Sequence, residues 1–179
     1  MQRILPNMNI LNYKKIILVG SAGSGKSWLA KRLAGITGYK LIHLDCEFWQ
    51  PNWTKTPREE WIEKQKGFIK GEKWIIDGNY GSSIELRFTA ADLVVFLDIN
   101  RFVCMWSAIK RHGKKRSDLP DYLEEKMNLE FIEFLKWIWT FQKTGKKKIL
   151  ELHEKYPEKE FLVLKSRKAV MKFLRTLEA

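Results

Sequence analysis

The chain has 179 residues, 45% of them hydrophobic and 30% charged, which suits a folded domain with its own core and excludes a disordered chain. A formal net charge of +12 favours anionic partners: phosphorylated small molecules, nucleic acid or a membrane surface. Two cysteines, Cys46 and Cys104, form no C-x-x-C pair, which argues against zinc and redox motifs and points to reduced thiols and a cytoplasmic address.

The N-terminal "MQRILPNMNILNYKK" lacks the apolar run and cleavage site of a signal peptide. Ile16 to Val19 is a continuous, β-branched apolar run and predicts a strand buried on both faces. "GSAGSGKS" follows at once. Leu29, Ala30, Leu33 and Ala34 then mark a helix stripe that stops near Gly35 and Gly38. "YKLIHLD" reads as a second strand ending at Asp45. Thr56, Pro57 and Glu59 have the pattern of a capping box, with Trp61, Ile62 and Phe68 on the inner helix face.

"KWIID" is a third strand ending at Asp77, and "DLVVFLD" a fourth ending at Asp98. Asn100 can cap the next helix, whose Phe102, Met105, Trp106 and Ile109 recur at helical spacing. The polar, basic "KRHGKKRSDLP" at 110–120 has the composition of a lid segment. Asp121 and Glu124 open a long helix to about Gln142. Its apolar stretch "LEFIEFLKWIWTF" is too short, and too interrupted by Glu130, Glu133 and Lys136, to span a bilayer. A short helical run from Ile149, the strand "EFLVLKS", and a last helix capped by Ser166 and carrying Val170, Phe173, Leu174 and Leu177 complete the chain. Five apolar strands alternating with helices predict one α/β domain over 1–179, a three-layer sandwich around a five-stranded parallel sheet.

Gly20, Gly25, Lys26 and Ser27 satisfy G-x-x-x-x-G-K-[ST] between a strand and a helix, with Gly23 as an extra glycine. Glycines let successive backbone N–H groups curl around phosphates, and the helix adds its positive end. Gly20, Ser21, Ala22, Gly23, Ser24, Gly25, Lys26, Ser27 and Trp28 are therefore the expected nucleotide cradle, with Lys26 on the β and γ phosphates and Ser27 on Mg²⁺. No N-K-x-D follows, so the base-reading motif of GTPases is missing. The general pattern of P-loop enzymes implies a Mg²⁺-organising acid at a strand end, and Asp77 matches it.

"GSAGSGKSWLAKRL", "LIHLDCEFWQPNW", "WIIDGNY", "ADLVVFLDINR" and "FLKWIW" together resemble the bacterial topology modulation protein family (FlaR-related), which is similar to adenylate kinase and other small P-loop kinases. The resemblance runs from about Ile16 to Phe141. It implies a kinase-like core in which Asp45 faces the phosphoryl acceptor as a base, Arg111 and Arg116 are lid arginines flanked by Lys110, Lys114 and Lys115, and Arg87 contacts the acceptor. Asn79, Tyr80 and Gly81 stand where adenylate kinases carry phenylalanine, proline and arginine. Trp49 and Trp53, on either side of Pro51, either stack on a planar acceptor or anchor a loop. Trp137 and Trp139 read as helix packing. His43, His112 and His153 show no partner spacing.

The expected function is ATP- and Mg²⁺-dependent phosphoryl transfer to a small acceptor such as a nucleoside or nucleotide, with no membrane partner. The alternative is an ATP-binding protein that contacts DNA and modulates its topology. Against it, the chain carries no helix-turn-helix, zinc-finger or RNP-type signature.

Overall fold

The computed structural model describes residues 8–112 and 129–178. Its main sheet is built from β1 (Lys15–Gly20), β2 (Lys40–His43), β5 (Trp74–Asp77), β6 (Leu93–Leu97) and β7 (Glu160–Leu164). They run in the order β2-β5-β1-β6-β7, and every adjacent pair is parallel. The motif-bearing strand β1 is thus central. β3 (Trp49–Gln50) and β4 (Thr54–Lys55) form a separate two-stranded ribbon.

Successive strand residues face opposite sides, so each apolar run feeds two cores. Ile16 and Leu18 of β1 join Ile75, Val95 and Leu162 against α1 (Lys26–Thr37), α5 (Arg101–Arg111) and α8 (Arg167–Glu178). Ile17 and Val19 join Ile42, Ile76 and Phe96 against α3 (Arg58–Ile69), α4 (Ile84–Ala90) and α7 (Gly145–Lys155). Between α5 and α7 lies α6 (Leu129–Thr140), whose Ile138 is buried in the first core. The chain is an α/β three-layer sandwich around a five-stranded parallel sheet. Among the described residues no helix is long and apolar enough to cross a membrane.

Three local expectations need correction. The second strand ends at His43, and Asp45 belongs to a short helix, α2 (Leu44–Phe48). Asp45 and Glu47 lie in that helix's first turn, where the positive end of the helix favours carboxylates. Thr56 does not cap α3. Its hydroxyl and its amide both donate to the Phe48 carbonyl, at 2.5 and 3.1 Å, so it closes the ribbon loop instead. Helix α5 has the expected period but faces the other way. Phe102 and Trp106 are 62% and 66% exposed, while Cys104 and Ala108 are buried. Asn100 does cap it, accepting from the Phe102 amide at 2.9 Å. Ser166 likewise caps α8, accepting from the Ala169 amide at 3.1 Å. The start of the long helix at Asp121, and residues 113–120 of the lid segment with Arg116, lie outside the described residues.

Candidate active site

The loop after β1 takes its shape from glycines in left-handed backbone. Gly25, at φ 96°, is the N-cap of α1, with open space where a side chain would begin. Gly23, at φ 75°, passes so close to α5 that a Cβ there would stand 2.2 Å from the Cys104 carbonyl oxygen. That contact explains the extra glycine. The amides opening α1 have no partner within the helix, as at any helix N-terminus. Together they form a set of donors suited to a polyanion.

Lys26 curls back and its Nζ donates to the Ser21 carbonyl at 3.0 Å. Burial holds its pKa below the usual lysine value. Asp77 and then Asp45 pull it back up, and the Arg111 cation pushes it down again. Three other residues singled out from the sequence, Asp45, Asp77 and Arg111, therefore lie within electrostatic reach of Lys26. Ser27 is half-buried in the first turn of α1. The Trp28 ring is exposed and lies under the Arg32 guanidinium.

Asp77 ends β5 with only 5% of its side chain exposed. One carboxylate oxygen, Oδ2, lies 3.1 Å from His43 Nδ1, and the other, Oδ1, is buried without a hydrogen-bond partner. Ser24 Oγ is similarly buried and unpartnered. A buried carboxylate oxygen and a buried hydroxyl beside a loop of amide donors fit a site made for a metal–triphosphate. Among the described residues no cluster of three or more His, Cys, Asp or Glu side chains could hold a metal ion.

A tripeptide following β5 ties these parts together. Asn79 grips both sides of Gly20: its Oδ1 accepts from the Gly20 amide at 2.9 Å, and its Nδ2 donates to the Gly20 carbonyl at 2.5 Å. Tyr80, in left-handed backbone at φ 41°, donates its hydroxyl to Asp45 Oδ1 at 2.8 Å. Burial, and next the Asp45 charge, raise the tyrosine pKa, so the phenol keeps its proton. Its ring packs on Phe48 and Trp61, with centroids 4.7 and 4.9 Å apart.

Arg87 is completely buried behind this tripeptide, and its guanidinium donates to Gln65 Oε1 and to the Asn79 carbonyl. Burial pulls its pKa down to about 9, still high enough for the side chain to be a cation at neutral pH. The structure thus sets Arg87 behind the loop, with none of its surface exposed to the acceptor it was expected to contact. Trp49 and Trp53 meet edge to face at 5.4 Å, and Trp49 meets Phe48 in the same way at 5.0 Å, as loop-anchoring aromatics do.

The sequence reading missed His43, Asn79 and Tyr80 as working parts of the site. The one local signal for the last two was the "GNY" that replaces the adenylate kinase pattern.

No protein-family model matches the chain, and no curated protein does. Solved structures do. A shikimate kinase from Acinetobacter baumannii, in complex with shikimate, is 12% identical, with a TM-score of 0.55 over 94% of this chain and 93% of that one. A gluconokinase from Sinorhizobium meliloti is 14% identical, with a TM-score of 0.52 over 91% and 88% of the two chains. A shikimate kinase from Bacteroides thetaiotaomicron is 16% identical, with a TM-score of 0.51 over 93% and 96%. At these identities the similarity establishes the fold, that of the small P-loop kinases.

Proposed function

We propose that this protein is an ATP- and Mg²⁺-dependent phosphotransferase acting on a small hydroxyl-bearing acceptor. The observation that carries the reading is the convergence of Asp45, Asp77 and Arg111 on the Lys26 ammonium at the mouth of the glycine loop. A site that only bound nucleotide would need the loop and the lysine. A second carboxylate at Asp45, away from the strand end that carries Asp77, is what a transferase adds.

In this reading the loop amides and Lys26 hold the β and γ phosphates, and Ser27 and Asp77 hold the magnesium. When bound, the metal supplies neutralising charge on the phosphates. Asp45, oriented by the Tyr80 hydroxyl, accepts the proton of the acceptor hydroxyl as that oxygen attacks. Arg111 and Arg116 offer planar donors to charge spread over the transferred phosphoryl oxygens. Asn79, fixed by Arg87, holds the start of the loop in register with the acceptor carboxylate.

The three similar structures are kinases by name, and the acceptor classes those names suggest are sugar acids and hydroxylated ring acids. These belong in the screen beside nucleosides and nucleotides. The test is ATP consumption across that panel with Lys26→Ala as control. Acceptor-dependent turnover that Lys26→Ala abolishes, with an unchanged circular dichroism spectrum, is the expected result. Turnover unaffected in a folded Lys26→Ala protein would overturn the nucleotide site.

The net charge of +12 favours a second reading, an ATP-binding protein of the topology modulation type that contacts DNA. It requires DNA affinity that falls steeply with salt.

A further inference from the structure

His43 ends β2 and stands in register with Asp77 on the neighbouring strand β5. Their side chains meet as His43 Nδ1 and Asp77 Oδ2 at 3.1 Å, both well shielded, with 15% and 5% exposed. The remaining ring nitrogen, Nε2, is buried with no hydrogen-bond partner. A proton on Nε2 alone would leave a buried donor unsatisfied and would set the Nδ1 lone pair against a carboxylate oxygen, two penalties at once. The geometry therefore assigns the ring proton to Nδ1, donating to Asp77.

We infer that His43 is the positioning residue for the metal-organising carboxylate: its Nδ1–H holds Asp77 Oδ2 and so keeps Oδ1 for the magnesium shell. The inference rests on the nucleotide site proposed above. The competitor is on the page. Asp77 is the strongest attraction felt by the Lys26 ammonium. A carboxylate free to rotate could turn toward that lysine, leaving fewer oxygens for the metal. The imidazole occupies one oxygen and so fixes the rotation. Groups that orient metal-organising carboxylates in this way typically change metal affinity by about 10- to 100-fold when removed.

The readout is binding, not turnover. A fluorescent ATP analogue is titrated into wild type, His43→Leu and His43→Asn, in EDTA and in saturating magnesium. In His43→Leu, affinity in EDTA should stay within about twofold of wild type, while the gain on adding magnesium shrinks by about 10-fold or more. His43→Asn, whose side-chain N–H falls near the place of Nδ1–H, should keep most of the gain. A purely structural role would lower affinity equally with and without metal.

A long-range proton–nitrogen NMR spectrum of the wild-type histidines supplies an arm that needs no variant, and the His43 ring should carry a proton on Nδ1. A proton on Nε2 alone, or an undiminished magnesium gain in His43→Leu, overturns the inference while leaving the nucleotide site standing. Failure of the wild-type protein to bind the nucleotide at all overturns the site, and this inference with it.

Discussion

Asp45 and Lys26 carry opposite charges toward the same reaction, and each makes a distinct prediction. Asp45 accepts a hydrogen bond from a tyrosine whose own proton is held firmly, and in the proposed reaction its carboxylate supplies the basicity that takes the acceptor proton. Asp45→Asn keeps the shape and removes that basicity. It should leave ATP affinity within about twofold and lower transfer by roughly 10² to 10⁴. Steady-state turnover beside nucleotide titration reads both, and a loss of ATP affinity with transfer preserved would move Asp45 to the donor side. Lys26 has a pKa depressed by burial. A bound triphosphate favours its charged form and must raise that pKa. Between the two values the free protein has lost the proton that the complex retains, so binding takes up protons. Calorimetry in buffers of different ionisation heat should show uptake per nucleotide growing as pH rises from neutral into the alkaline range. Proton release there would contradict the assignment.

Among the elements, the segment after β5 does most to join the donor and acceptor sides. Asn79→Ala removes both hydrogen bonds to Gly20. At about 0.5–1.5 kcal/mol each, the pair is worth roughly 1–3 kcal/mol, enough to weaken nucleotide binding about tenfold or more. Unchanged nucleotide affinity would show that the loop keeps its shape without Asn79. The strands and the phosphate loop were legible in the sequence because their signals are local: consecutive apolar residues, and four motif positions within eight residues. Asn79–Gly20, Tyr80–Asp45 and His43–Asp77 were not, because each joins residues 34 to 59 positions apart whose meeting is set by strand register. The ribbon at 49–55 was missed for a related reason. Its closure depends on Phe48 accepting twice from Thr56, and the local pattern around Thr56 argues equally well for a cap. Helix α5 shows the limit of periodicity. The repeat was right, but Cys104 and Ala108 lie inward and Phe102 and Trp106 are left outside, which the spacing alone does not decide.

At the scale of the whole molecule, the question is whether the excess positive charge serves chemistry or adhesion to a polyanion. Arg111 acts on the Lys26 ammonium, while its neighbour Lys110 is exposed. If the segment serves phosphoryl transfer, Arg111→Ala should cut turnover, by up to about 10³-fold if it acts as an arginine finger. Lys110→Ala should then change little. If it grips DNA, the two substitutions should weaken binding alike, each lowering the salt slope by about one. Turnover and DNA titrations on the same two proteins separate the cases. The sheet order also governs how the molecule comes into being. β1 lies between β5 and β6 and pairs with both in parallel, so the strand that launches the phosphate loop is made early and must wait for partners made much later. At about 5–20 residues per second, that wait on the ribosome is on the order of 3–15 s. Until it ends, an apolar strand bound for the centre of the sheet has two unpaired edges, the condition that invites wrong pairing. Efficient production of this protein should therefore depend on what shelters residues 15–20 during synthesis more than on the stability of the finished fold.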